Sequence, residues 1–512
     1  MHAHGLTEER ALTQLEAFRA GRSFAVLDRP CTVNDGIVRL SQAEADNFAA
    51  ICSAAANQGR YLFFVPASGA ATRMFKGLSA IRHRSDRPDL IGLAKEAARN
   101  ADARETWEWF THVREFAFYP ALRAAVARSG ADPEATLVSG EYGIWLEALL
   151  GPAGLGYADQ PKALILFHAS PQGPRLALEE HLAEAFALGR DAAGRCRLHF
   201  TVSPEHEAAI LAALDRARRP YEAAGARFEI SLSTQKPSTD TLAADAANQP
   251  FRDAEGRLIF RPAGHGALLE NLHHTGGDLV FIKNIDNVVP ESRRAPVLAF
   301  RRVLGGYLAQ MQDRIHAYSR ALAASPDLRL IEEAAHFAGQ RLGAVPPAPL
   351  QTPPANAEAV AAKAAWLTRV FARPLRVCAM VKNTGEPGGG PFWVRHPDGS
   401  LRPQIVETAQ VDLSRSAQSK ILESATHFNP VDIACALRNP DGQPYQLQDF
   451  VDSSAALITE KSKDGKPLKA LELPGLWNGS MAFWNTVFVE APLETFNPVK
   501  TVNDLLRENH RG

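Results

Sequence analysis

Apolar residues recur at helical spacing through residues 7–57, with Leu12, Leu15 and Phe18 in one stretch and Ala43, Phe48 and Ile51 in the next. This pattern predicts a helical lead-in over 1–60. Residues 61–65 (YLFFV) form a short β-rich apolar run, which ends in Pro66-Ala67-Ser68-Gly69-Ala70-Ala71 before Thr72-Arg73-Met74. A strand turning through small residues into a helix start is expected there. Residues 77–160 return to the helical period, and Trp107, Trp109, Phe110, Val113 and Phe116 make a wide apolar face.

Beyond Pro161 the period alternates. Strands are predicted at 163–167, 197–202, 227–231 and 278–283, with helices at 176–188, 205–224 and 265–273. Strands spaced by helices predict βαβ units and a mostly parallel sheet. Residues 291–341 are helical in pattern, and 345–354 (VPPAPLQTPP) are too proline-rich for either regular element, so they predict a surface linker. The remainder opens with a helix and continues as short strands with Gly/Pro turns. The expected partition is a lead-in at 1–60, an α/β core at 61–344 carrying a helical insertion at 77–160, a linker at 345–354, and a smaller α+β part at 355–512.

Charge narrows the class of partner. Lys and Arg total 56 against 57 for Asp and Glu, a net charge of -1, so the chain has no polybasic excess for a nucleic-acid backbone or an anionic membrane. Any anion site must therefore be local. No run approaches the roughly 18 apolar residues of a spanning helix, and residues 1–18 lack a secretory pattern, so a cytoplasmic location is expected. Cys31, Cys52, Cys196, Cys378 and Cys435 are scattered and odd in number, which predicts buried thiols rather than disulfides or thiolate zinc sites.

Three segments carry candidate chemistry. In the Ser68–Met74 loop, small residues let backbone N–H groups approach a phosphate, and Arg73 can add charge-assisted hydrogen bonds. A plain tight turn is the alternative, and the loop is neither a P-loop nor a GxGxxG fingerprint. In the second segment, glycines flank His265 (Gly264-His265-Gly266), and the strand after it ends Asn284-Ile285-Asp286-Asn287. That ending puts a carboxylate at the strand edge where α/β sheets bind ligands, and such a carboxylate can hold Mg²⁺ against phosphate oxygens. Turn capping by Asp286 and Asn287 is the alternative. The third segment, Phe496-Asn497-Pro498-Val499-Lys500 through Leu506, offers Lys500. The His168, Arg175 and Glu179-Glu180-His181 cluster reads as a capped helix start with solvated charges, with substrate contact as the alternative, and His273-His274 as a helix surface without a third zinc ligand.

Together these segments resemble the eukaryotic-type UDP-sugar pyrophosphorylases, the group containing UDP-glucose and UDP-N-acetylhexosamine pyrophosphorylases. The family's GGxGTRM loop is matched by Ser68-Gly69-Ala70-Ala71-Thr72-Arg73-Met74, its Pro-Lys pair by Pro161-Lys162, and its strand ending near a glutamine by Ser231 to Gln235. Its PPGHG and SNIDN segments are matched by Pro262 to Gly266 and Lys283 to Asn287, and its FLPVK and TSDLL-like runs by Phe496 to Leu506. Runs such as Gly264 to Leu268, Asn284 to Pro290 and Leu476-Trp477-Asn478-Gly479-Ser480-Met481 are similar to a bacterial branch of that superfamily known as a domain of unknown function. Two of the three loop glycines are replaced, and Gly69 survives.

The resemblance implies a nucleotide-diphospho-sugar transferase (GT-A-like) α/β fold with a mixed, mostly parallel sheet flanked by helices. It implies a sugar-1-phosphate uridylyltransferase joining UTP and a sugar 1-phosphate to give UDP-sugar and pyrophosphate. Under it, Arg73 and Lys162 (or Lys76) neutralise the pyrophosphate, Asp286 holds Mg²⁺, and Lys500 draws in the sugar phosphate. Ser68, Gly69, Ala70, Ala71 and Thr72 bind the nucleotide phosphates, while Gln235 and Gly264, His265 and Gly266 read the uracil. Asn287, Glu386, Gly389, Glu407 and Asn478 fall at sugar-site positions. The altered loop motivates a second expectation, a non-catalytic nucleotide or nucleotide-sugar binder. A UDP-sugar-dependent glycosyltransferase is the third, disfavoured because the strand ends Asn-Ile-Asp-Asn rather than DxD.

Overall fold

The computed structural model describes residues 4–354, 356–385, 388–463 and 465–511. The chain forms two compact units, one of residues 1–64, 233–282 and 300–493, the other of 65–232, 283–299 and 494–512. Eight strands frame them: β1 (Gly36–Val38), β2 (Tyr61–Pro66), β3 (Arg195–Val202), β4 (Arg227–Thr234), β5 (Leu279–Lys283), β6 (Leu375–Lys382), β7 (Asp432–Ala436) and β8 (Asn485–Ala491).

In the first unit the strands lie in the order β1-β8-β6-β7-β5-β2. The sheet is mixed and mostly parallel. β2 pairs parallel with β5 (Phe64 opposite Ile282), and β6 pairs parallel with β8 (Leu375 opposite Asn485). β8 also pairs parallel with β1, whereas β7 runs antiparallel to β6. Every residue of β5 is buried, as expected of a strand covered on both faces. One covering helix, Arg294–Ala324, packs close to helix Gln42–Asn57 because Gly305 and Gly306 face it. A Cβ on Gly306 would collide with the Phe48 carbonyl, and one on Gly305 with the Phe281 ring. Arg301, 1% exposed, pairs with the equally buried Asp432 at 3.2 Å, and its guanidinium lies over the Phe281 ring. A separate antiparallel sheet joins Val26–Pro30, Gly390–Arg395 and Leu401–Val406.

In the second unit β3 and β4 are neighbours, and the backbone just past β2 joins β3 through Ala67 N–H to the Thr201 carbonyl, 2.9 Å. Six α-helices occupy 76–150, with Trp109, Trp145, Phe75 and Phe118 fully buried among them. Their boundaries follow from local chemistry. Asn100 caps helix Ala101–Thr111, and Asp132 followed by Pro133 opens Pro133–Ser139.

Several sequence expectations change. The lead-in is not purely helical, because Val26–Pro30, Thr32–Val33 and β1 lie within it, and the periodic stretches are the helices Glu8–Ala20 and Gln42–Asn57. The strand expected at 163–167 is a 3-10 turn, Lys162–Leu164, followed by Leu166–His168. That short strand pairs antiparallel with Arg175–Leu176, since the Pro171-Gln172-Gly173 turn folds it back as a hairpin. The helical run at 291–341 breaks at Ser325-Pro326-Asp327, where Asp327 caps helix Leu328–Leu342. The proline-rich stretch does not separate two units, since both of its flanks belong to the first. The cluster after Phe167 is buried, not solvated: His168, Glu180 and His181 are at most 3% exposed. Only the capping part of that expectation holds, with Glu179 accepting from Leu176 N–H at 2.7 Å.

Candidate functional site

The predicted residues fall into two groups, one in each unit. In the second unit, Ala70 and Pro161 form a β-bridge, and Ala71 N–H donates to the Gln160 carbonyl at 3.0 Å, so the small-residue loop is tied to the Pro-Lys segment. Asn287 and Pro498 form another bridge, and Val499 N–H donates to the Asp286 carbonyl at 3.1 Å. Lys162 closes the group. Its Nζ donates to Asp286 Oδ2 at 2.6 Å and to the Val499 carbonyl at 2.7 Å. Three segments separated by hundreds of residues therefore meet at one ammonium, with both partners of the ion pair mostly shielded from water.

Neighbouring side chains hold this arrangement. Asn287 is buried, and its Oδ1 accepts from Asn497 N–H at 2.8 Å, so it latches the Phe496–Lys500 segment to the end of β5. Asn287 Nδ2 is buried without a hydrogen-bond partner among the described residues. Asp504 Oδ2 accepts from Lys500 N–H and Thr501 N–H, 2.7 Å each, capping the following 3-10 turn. Lys500 Nζ sits 5.9 Å from the Phe496 ring centre. Arg73 and Thr72 are exposed, as is Lys76, which opens helix Lys76–Arg82. Gly69 faces open space, and its φ is not in the left-handed region, so neither packing nor backbone conformation demands a glycine there. Ser68 and Ala70 flank it, and Ala71 is buried.

Behind this group lies a network that sequence reasoning misjudged. Glu180 receives Arg294 Nη2 at 2.5 Å and His168 Nδ1 at 3.2 Å, and His168 Nε2 lies 3.0 Å from His510 Nδ1. Burial, and then His168, push the His510 imidazole down to about 3, so it is neutral at ordinary pH. Lys283 and Glu184 form a further buried pair at 2.6 Å. The alternating carboxylates and bases at 180, 184 and 283 were present in the sequence, but the partners lie about a hundred residues apart.

In the first unit the Gly264-His265-Gly266 turn is built around Trp477. Gly264 takes φ +74, in the left-handed region that glycine favours. A Cβ on Gly266 would collide with the Pro474 carbonyl. The His265 ring stacks on Trp477 with centroids 4.2 Å apart, and its Nδ1 accepts from Leu476 N–H at 3.0 Å. Burial pushes this imidazole down to about 4, which leaves it neutral with the proton on Nε2. Trp477 in turn hydrogen-bonds Glu407, whose carboxyl is raised by burial and, less strongly, by Glu472, and lowered by that bond. A Cβ on Gly389 would press on Ile405 and Glu407, so the glycine lets these strands approach. Asn478 is 2% exposed, and its Nδ2 donates to the Ile405 carbonyl at 3.0 Å while its Oδ1 has no partner among the described residues. Gln235 follows the end of β4, half-exposed. Glu386 lies outside the described residues. Trp477 and Glu472 are the members of this group that sequence reasoning did not single out. Trp477 lies in the Leu476–Met481 run, whereas nothing local marks Glu472.

Among the described residues no cluster of three or more His, Cys, Asp or Glu side chains could hold a metal ion by itself. The donor set at Asp286 fits a magnesium ion held chiefly by phosphate oxygens, since Mg²⁺ is commonly bound through one or two carboxylates plus substrate. It does not fit an all-protein cage. No helix is long and apolar enough to cross a membrane among the described residues.

Comparison with solved structures finds similarity to the uridine diphosphate N-acetylglucosamine pyrophosphorylase of Trypanosoma brucei, in complex with an inhibitor, at 14% identity and TM-score 0.49, covering 98% of this chain and 76% of that one. The UDP-glucose pyrophosphorylase of Leishmania major is similar at 14% identity and TM-score 0.45, covering 99% and 76%. Among curated proteins none matches. A family model described as a domain of unknown function, DUF4301, matches residues 1–511, and the chain belongs to that family.

Proposed function

We propose that the protein is a nucleotidyltransferase that joins UTP and a sugar 1-phosphate to give UDP-sugar and pyrophosphate. The observation that carries this reading is the Lys162 knot. The loop, the Pro-Lys pair, the strand-end Asp286 and the Pro-Val-Lys segment resemble successive motifs of one enzyme family; in one unit the last three meet at a single ammonium and carboxylate, and the loop is bridged to Pro161 beside them. Such a grouping suits in-line transfer between two anions. That chemistry depends on positioning and charge neutralisation rather than on a covalent nucleophile.

The roles follow from reach and charge. Arg73, exposed at the loop, is available to a nucleotide phosphate, and the backbone of Ser68 to Thr72 can approach closely where Gly69 leaves space. Lys162, bonded to the Val499 carbonyl, and Lys500, the next residue along the chain, supply positive charge. A magnesium ion bound at Asp286 would neutralise phosphate oxygens and fix their orientation. The ammonium of Lys162 orients the Asp286 carboxylate by holding Oδ2, leaving Oδ1 as the other donor atom. In the other unit, His265 presents an Nε2 donor on the Trp477 platform, suited to a base or sugar edge, and Asn478 Oδ1 offers an acceptor.

A second reading, a nucleotide or nucleotide-sugar sensor, is favoured by one observation: Lys162 is already satisfied by Asp286 and Val499. Incubation with UTP, Mg²⁺ and a panel of sugar 1-phosphates separates the two. The enzyme releases pyrophosphate with at least one sugar, whereas a sensor is thermally stabilised by the ligands without releasing any.

A further inference from the structure

At the edge of the first unit's sheet where β6 and β8 begin lies a cavity of about 590 Å³. In open α/β sheets the fold's own ligands bind at the carboxyl ends of strands, so this is the opposite edge. Its size is within the range of small-molecule sites, about 300–1,000 Å³. Trp366 and Trp484 give it apolar walls, and Arg369, Arg373, Arg395 and Arg402 give it charge, Arg395 being paired with Asp28 outside the cavity.

The charge is not balanced within the cavity. Arg402 is answered by Asp398, Nη2 to Oδ2 at 3.1 Å, and rests over the Phe483 ring. Arg369 and Arg373 donate no hydrogen bond and form no ion pair with any described residue. Arg373 stands just past the end of helix Ala357–Phe371, and burial followed by repulsion from Arg402 pushes its guanidinium down to about 10. Cations at a helix C-terminus complement the helix dipole, but that effect amounts to about half a charge. Four guanidiniums, of which Asp398 answers Arg402 and Asp28 answers Arg395, leave an excess of two. A planar guanidinium fork fits phosphate in a way a solvated surface charge does not need.

We propose that this cavity binds a small organic phosphate monoester, its dianionic head taken by Arg369 and Arg373 and its apolar body by the two indole walls. The charge excess of two matches a dianion, and the aromatic walls favour an organic ester over inorganic phosphate.

Titration calorimetry of the full chain with phenyl phosphate tests this, with benzoate, phenol and inorganic phosphate as comparison ligands. Saturable one-to-one binding is expected, with phenyl phosphate at least tenfold tighter than each of the others. R369A and R373A should each weaken it tenfold or more, and K162A should leave it unchanged. Arg369 is exposed and Arg373 has no partner to orphan, so both variants should keep the parent unfolding temperature within a few degrees. R373K, which keeps charge but loses the fork, should weaken binding less than R373A. Absence of saturable binding overturns the proposal, as does binding that survives R369A or R373A, or that K162A abolishes.

Discussion

Glycines in the candidate sites divide by what their surroundings require. Gly266 sits against the Pro474 carbonyl with no room for a Cβ, whereas Gly69 faces open space. Gly266→Ala is therefore expected to cost about 2 kcal/mol or more, in the range of overpacking or backbone strain. Gly69→Ala should stay within about 0.5 kcal/mol of the parent. Denaturant unfolding of the two variants distinguishes them. The same contrast shows what was legible in the sequence at this scale. The Gly264-His265-Gly266 and Leu476–Met481 runs are both visible as motifs, but the stacking of His265 on Trp477 is not, because a platform two hundred residues away leaves no local signal. Gly69 stood out as the surviving loop glycine, yet the fold does not need it.

At the scale of one element, helix Ala101–Thr111 carries a charge in an unfavourable place. Burial, followed by Asp102, Asp504 and Glu108, pushes the Glu105 carboxyl up to about 7, and its Oε1 is buried without a partner among the described residues. A carboxyl raised in the fold holds its proton more tightly there than in the unfolded chain, so stability falls as pH rises from about 4.5 towards 7. Glu105→Gln removes that penalty. The variant should gain about 1 kcal/mol at pH 8, a figure reduced for the solvent access of a half-exposed group, and gain nothing below pH 4.5. A gain that is the same at both pH values would contradict the assignment. Helical periodicity identified this element from Trp109 and Phe110, but Glu105 looked like one of its solvated positions. Its carboxyl packs against Gly77, where a Cβ would come 2.6 Å from Oε2, and Asn503 Nδ2 donates to the Glu105 carbonyl from near the other end of the chain, neither of which local periodicity encodes.

For the whole molecule, stability between pH 7 and pH 5 depends on histidines kept neutral. His199 and His265 are pushed down to about 4 by burial, and His510 to about 3. Each binds a proton more readily when unfolded, so its contribution is fully present above pH 6.5 and is lost as pH falls towards the folded value. The expected slope is up to about 1.4 kcal/mol per pH unit for each such histidine. Chemical unfolding between pH 7 and pH 5 should show the loss, and His199→Gln should reduce it. A stability flat over that interval would contradict the burial argument.

The division of the chain was less legible than its elements. The β-rich runs at 61–65, 197–202 and 278–283 fall within two residues of β2, β3 and β5, because continuous apolar runs signal buried strands wherever the chain takes them. Unit membership depends on long-range pairing instead. Residues 494–512 return to the unit of Lys162 through the Asn287 latch and the Val499 contacts, which no local periodicity encodes.

The Lys162–Asp286 pair is the centre of the functional account, and pyrophosphate release from UTP by the parent and by Asp286→Asn measures it most directly. In the presence of Mg²⁺ and an accepted sugar 1-phosphate, the parent is predicted to release pyrophosphate and the variant to lose at least a hundredfold of that rate, about 2.7 kcal/mol of transition-state stabilisation. Full turnover by a folded Asp286→Asn variant, or no release by the parent with any sugar 1-phosphate, would contradict the account.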